Sequence, residues 1–519
     1  MNSEVENFED RTSNVEHFPN RRMLVLGLDA ADSSLIQKWC DEGILPSLAF
    51  LRNEGVWIPL TQNWPIPSAA VWPSIYTGVH PGQHGIYNTL QIEAGKQEFE
   101  LLRPEQSGEP PFWWHLDRHG KTSIIMDAPF SYPLKDFSGI QILDWGSYER
   151  HYQTQTSPQQ ILAEISKRFG GYPFGQEMSR DTPSSRRHFS RVRAELLTAP
   201  PLKGKVIRWL MRDQPWDFLM AVFSETHPAG HYFWSFHSGG RDSLAPSTTE
   251  FVTTIKDVYR AIDTEIGKIV QNLDGDTTLV VLSGQGMAAN TAKGHIIPEV
   301  LSNLGMLATT ARPNWLAESR DLIPREWRRG VSRYLPGALR DILHVHWANS
   351  RIDWSRTRAF DMPTDLLGYI RINLKDREPH GVVEPGAEYE SVCAYITAAL
   401  QRVVDPGTGA PIVREVFRGD EIFSGPHRHR FPDLIVTWAD GPQLCPVEAK
   451  PVGRMNGCAA DHRSGNHRPE GFVIFYGPGI KKRQVSKAHI TDIAPTILEY
   501  FGLTSPATMA GRNLLGLLR

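Results

Sequence analysis

The sequence predicts an α/β protein built on a mostly parallel central sheet, with helices on both faces and an inserted cap region. Three observations point there. Short, continuous apolar runs recur along the 519 residues, among them RRMLVLGLDAAD, KTSIIMDAP, WDFLMAVFSETH, TTLVVLSGQG, FPDLIVTWAD and EGFVIFYGPG. Runs this short, apolar at nearly every position, mark strands buried on both faces. Amphipathic stretches closed by glycine lie between them, as helices would. Finally, several runs empty into residues with chemistry to offer, and open α/β sheets keep their ligands at the carboxyl ends of strands.

Taken in order, residues 1–20 are acidic and polar and read as a flexible tail. Residues 23–28 form a first strand that delivers Asp29, and SSLIQKWCDEG follows as a helix capped by Asp32 or Ser33 and stopped near Gly43. LPSLAFLRNEG is a second helix. PIPSAAVWPSIYTGVHPGQHGIYN is a small-residue turn carrying Ser68 ahead of another helix. Residues 21–291 are the first part of the core. Residues 292–430, rich in Pro, Arg and Trp, are an insertion expected to lie over the cleft and choose the substrate. Residues 431–519 complete the core and end in an amphipathic helix, ITDIAPTILEYFGL.

Bulk composition narrows the function classes. Hydrophobic residues make up 40% and charged residues 22%, the balance of a globular enzyme. A formal net charge of −3 gives no global field for nucleic acid or an anionic membrane, so neither is an expected partner. The four cysteines are scattered and form no CxxC, which fits a reducing compartment. With no apolar leader and no membrane-length apolar run, the expected location is the cytoplasm.

The strand ends carry the chemistry. Asp29 closes the first run, Ser68 sits in its turn, and WDFLMAVFSETHPAGHYFW delivers His227 and His231, four apart and so on one helical face. TTLVVLSGQG delivers Gly284 and Gln285, while DHRSGNHRPEG brings Asp461, His462 and His467 ahead of a late strand. Singly these have bland readings, since Asp serves local turns and an isolated HxxxH is common in a chain with 19 histidines. Together, an Asp, a hydroxyl and several imidazoles converging on one cleft suit a zinc-like divalent ion with an activated nucleophile beside it.

The order and spacing of these segments resemble the alkaline phosphatase superfamily, in particular its type I phosphodiesterase/nucleotide pyrophosphatase branch and bacterial predicted phosphohydrolases. The likeness is carried by VLGLDAAD, SAAVWPSIYTGVHPGQHGIYN, FSETHPAGHYFW, LSGQGM, GYIRINLKDREPHGVV, FPDLIV, GNHRPEG with YGPGI, and ITDIAPTILEYFGL. That resemblance implies a metal-dependent hydrolase of phosphate esters, phosphodiester, nucleotide-type or monoester, acting on a small anionic substrate. It assigns Ser68 as nucleophile and Asp29, His227, His231 and His467 as metal ligands, with Asn88 near a phosphate-binding position. His227 stands where many relatives have Asp.

One departure is plain. Relatives end the strand of TTLVVLSGQG in Asp-His-Gly-Met, two ligands for a second metal, and here those positions are Gly284 and Gln285. The expectation is therefore one zinc, with manganese or magnesium as alternatives, and a second ion weak or absent. Gln285, Asp461 and His462 are candidate contacts to that second ion or to substrate. Phosphoryl or sulfuryl transfer on the same fold, or non-catalytic anion binding, are the competing readings.

Overall fold

The structure is a computed structural model that describes residues 21–62, 65–93, 95–148, 150, 153–174, 183, 185–237, 249–310, 343, 345, 352–441, 447–449, 452–455 and 463–518. The expected tail at 1–20 and the candidates Asp461 and His462 lie outside these residues.

A nine-stranded sheet organises the chain. Its strands are β1 (Arg22–Leu28), β2 (Val56–Thr61), β3 (Ser123–Met126), β4 (Ile140–Leu143), β5 (Gln155–Ser157), β6 (Phe218–Phe223), β7 (Thr277–Ser283), β8 (Gly471–Tyr476) and β9 (Ala488–His489). Across the sheet they run β9-β2-β8-β7-β1-β6-β3-β4-β5. All but β8 and β5 point the same way. Strand β1 shows why its sequence is apolar throughout. Leu24, Leu26 and Leu28 face one hydrophobic layer, and Met23 and Val25 face the other, as the two-residue strand period requires.

Helices fill both layers. On the first face lie α1 (Ser33–Asp41), α2 (Pro46–Glu54), α4 (Arg186–Asp213) and α6 (Thr254–Val270), contributing Trp39, Leu48, Leu210 and Ile262. Helix α1 starts where Asp32 caps it, its carboxylate accepting from the Leu35 amide at 2.9 Å. The second face receives α3 (Val71–Thr77) and α7 (Ile493–Tyr500) through Ile75, Ile493 and Ile497. Among the described residues no helix is long and apolar enough to cross a membrane.

At the carboxyl edge of the sheet the chain turns sharply. Ala30, Asp127 and Asp144, just past β1, β3 and β4, adopt left-handed backbone angles near φ 56°, 55° and 52°. Non-glycine residues hold this conformation only when their surroundings fix it. The Asp127 carboxylate does so by accepting from the Trp145 and Gly146 amides at 2.8 and 2.9 Å while pairing with fully buried Lys203 at 3.0 Å. The loops that line the cleft are thus stiff.

The insertion builds its own four-stranded antiparallel sheet from Ala359–Met362, Gly368–Ile372, Leu434–Trp438 and Val413–Arg418. Here the structure departs from the sequence reading. FPDLIVTWAD lies in this smaller sheet, not in the parallel one, so the central sheet resumes only at Gly471. The reason is burial on two sides. Ile435 faces the main core, whereas Leu434 and Val436 face the insertion's own core, and the run reads like a central strand. The motif TG-x-x-PG-x-HGI forms part of the seam: the Gly82 carbonyl accepts from the His427 amide of the insertion at 2.9 Å.

Gly284 has a packing reason to be glycine. A Cβ there would lie 2.5 Å from Val71 Cγ1 and 2.6 Å from Ile75 Cδ1, both on α3. Gly284→Ala should therefore lower stability by about 1–3 kcal/mol through overpacking, measured by chemical denaturation. An unchanged midpoint would show that α3 yields freely.

Candidate active site

The functional side chains arrive on several different elements. Strand β1 ends at Asp29, and β6 leads into α5 (Thr226–His237), whose first turns carry His227 and His231. The turn after β2 places Ser68 at the start of a short 3₁₀ segment, Ser68–Ala70, that runs into α3. Beyond β7, Gly286–Ala289 pairs antiparallel with Gly465–Arg468, so that Met287 sits opposite His467. The segment that lost its expected ligands therefore templates another one.

His227, His231 and His467 come together. Their donor nitrogens lie within 4.8 Å of one another, all three residues are buried, and ring centroids are 4.7–5.0 Å apart. What stands behind the rings fixes their orientation. His227 Nδ1 meets Asp29 Oδ2 at 2.8 Å, and His231 Nδ1 meets the Gly465 carbonyl at 2.8 Å. Both partners accept only, so both hydrogens are on Nδ1. The two Nε2 atoms lie 3.0 Å apart: a charged His227 beside Asp29 hydrogen-bonds His231 there, whereas two neutral rings bring lone pair to lone pair. That arrangement is repulsive for neutral rings unless a cation lies between them. Two nitrogens bound at roughly 2.0–2.1 Å to one tetrahedral zinc stand about 3.3 Å apart, close to the observed spacing. His467 Nδ1 is buried and has no hydrogen-bond partner among the described residues.

Two of the three rings resist protonation. Burial, then the Arg463 charge and the other two imidazoles, hold His231 well below the ordinary histidine range. Burial and the neighbouring His227 take His467 down to about 3. Neutral imidazoles are the ligand form. For Asp29, burial opposes the ionised form. His227, hydrogen bonds from His227 and Trp72, and His467 outweigh it, so the carboxyl sits below its usual range.

Asp29 thus stands behind His227 instead of beside it. Its second oxygen accepts from Trp72 Nε1 at 2.8 Å, so the carboxylate bridges Trp72 and His227. Close packing makes the His231 contact: a Cβ on Gly465 would fall 2.2 Å from the Gly230 carbonyl of α5. No other residue type lets that strand approach.

Ser68 shares a small, partly open cleft with Asp29, Trp72, Pro129, Phe130, Tyr148, His227 and Gln285. Its hydroxyl donates to Asp365 Oδ2, a residue of the insertion that sequence reasoning missed. Asp365 Oδ2 is also 3.7 Å from His467 Nε2. No sequence signal singles this acid out, because it lies in an ordinary PTDLLG turn. Tyr148, equally unforeseen, lays its ring 4.3 Å from the His227 ring and joins its hydroxyl to that of Tyr232 at 2.9 Å. Asn88 is not among the cleft's lining residues. Its amide donates to the Pro363 carbonyl at 2.9 Å, and its oxygen accepts from Thr89 and the Leu90 amide. Gln285 is buried in the cleft wall, and the neighbouring position 284 is filled by Val71 and Ile75.

A family model described as type I phosphodiesterase / nucleotide pyrophosphatase matches residues 23–457. Among curated proteins, none matches the chain in sequence. Solved structures similar to it include murine ectonucleotide pyrophosphatase / phosphodiesterase 5, at 14% identity and TM-score 0.47 over 96% of this chain and 100% of that one. Phosphonoacetate hydrolase from Sinorhizobium meliloti in complex with phosphonoformate is another, at 11% identity and TM-score 0.49 over 92% and 94%. With the family match running over most of its length, the chain belongs to the type I phosphodiesterase/nucleotide pyrophosphatase family.

Proposed function

We propose that this phosphoric ester hydrolase cleaves a small anionic phosphate ester through Ser68. Its resident cation is a single ion, zinc by the chemistry of its donors, held by His227, His231 and His467. The carrying observation is the gathering of three buried imidazole nitrogens within 4.8 Å, two of the rings held from behind through Nδ1 by Asp29 and the Gly465 carbonyl. When bound, such an ion keeps its full double charge and supplies Lewis acidity toward phosphoryl oxygen.

The chain's own groups do the rest. Ser68 Oγ bonds phosphorus as the ester oxygen leaves, and water later cleaves the phosphoseryl linkage. Asp29 holds the His227 ring at the angle its hydrogen bond dictates. Trp72, Phe130 and Tyr148 wall the cleft with apolar surface and keep bulk water from the imidazoles. Gln285, neutral and buried, offers hydrogen bonds to substrate without the charge that a second cation needs.

Two outcomes are expected. Ser68→Ala should cut turnover of an aryl phosphate ester by at least about 10³-fold with the metal content unchanged. Near-normal turnover would exclude the covalent route. The second concerns acid. His467 is held at about 3 in the fold against an ordinary 6.5, so the unfolded chain takes the proton first. Stability of the metal-free protein is then complete above about 6.5 and is lost as pH falls from there toward about 3. Denaturation midpoints of chelated protein across that window should slope accordingly, and His467→Gln should flatten the slope. A wild-type profile that is already flat would contradict the burial of neutral imidazole.

A further inference from the structure

Asp365 belongs to the insertion, whereas Ser68 belongs to the scaffold, and yet the hydroxyl of one donates to the carboxylate of the other. The stretch that bears Asp365 is pinned from the core side. Asn88 donates to the Pro363 carbonyl at 2.9 Å, and Asn466 donates to the carbonyl of Asp365 itself at 2.8 Å. Asn466 is fixed in turn, accepting from the His467 amide at 2.8 Å and donating to Asn290 Oδ1 at 3.2 Å. The carboxylate side chain is only 25% exposed. Its position is set by the same residues that set His467.

A serine hydroxyl rotates about a single bond. It attacks only when a lone pair faces the phosphorus and its hydrogen lies elsewhere. In this chain the positions that would hold a second cation beside Ser68 carry a glycine pressed against α3 and a neutral glutamine. A carboxylate acceptor supplies the direction that such a cation would otherwise impose. It does so with an oxygen that a metal-site reading of the sequence has no reason to seek.

We propose that Asp365 is a positioning residue of the active site, supplied by the insertion, that orients the Ser68 hydroxyl for attack. This rests on Ser68 being the nucleophile. The role differs from docking the insertion, which Asn88 and Asn466 accomplish through backbone carbonyls.

The test reads covalent labelling of Ser68, not turnover. Protein as purified is reacted with diethyl 4-nitrophenyl phosphate, and the Ser68 adduct is followed by peptide mass spectrometry, with zinc content and melting temperature measured alongside. Asp365→Ala should slow labelling by about 10²-fold, the scale of a misplaced reacting atom, with zinc unchanged. Asp365→Asn keeps an acceptor oxygen and should recover at least about tenfold of that loss. Labelling of Asp365→Ala at the wild-type rate overturns the proposal. So does Asp365→Asn as slow as Asp365→Ala, or zinc lost from both. Where Asp365→Ala does not fold, Asp365→Leu removes the acceptor at closer volume, and wild-type labelling there overturns it equally. A wild type that takes no label on Ser68 is a separate failure, that of the nucleophile itself.

Discussion

Two buried imidazole nitrogens held 3.0 Å apart, with a third ring beside them, are the constraint around which the rest of the molecule is arranged. Burying neutral rings in that posture is unfavourable without a cation, and impossible to maintain unless each ring is gripped from behind. The grips come from distant parts of the chain. One is the carboxylate just past β1, and the other is a backbone carbonyl within reach because Gly465 lets its strand approach the Gly230 carbonyl of α5. The sheet brings these pieces to one edge, and the left-handed turns after β1, β3 and β4 keep that edge stiff.

The edited loop after β7 then makes physical sense. Position 284 has not simply lost a donor, because α3 has moved aliphatic side chains into its space. The same loop continues into the strand that holds His467 in register, so it remains essential to the site while contributing no side-chain ligand of its own. A carboxylate beside Ser68 comes instead from the insertion, which brings that region to the cleft.

Much of this was legible in the chain itself. The parallel strands announced themselves because both faces are buried, and the HxxxH spacing placed two imidazoles on one helical face. The rule failed at FPDLIVTWAD for the same reason it worked elsewhere. Double burial writes an apolar run whether a strand lies in the central sheet or between the main core and a second one. Asp29 could be picked out at its strand end, but its hydrogen bond to His227 could not, since the two lie 198 residues apart and only the fold brings them together. Asp365 and Tyr148 were invisible for a plainer reason. Their partners, Ser68 and His227, are far away in the chain, and only the packed loops bring them near.

The central claim is that three imidazoles gather one ion and that the neighbouring pocket holds none. Crystals of protein grown with zinc, measured on both sides of the zinc absorption edge, test this most directly. The account predicts one anomalous peak per chain, within bonding distance of His227, His231 and His467 and none beside Gln285. Two peaks of comparable height flanking Ser68, or a lone peak away from His467, would contradict it.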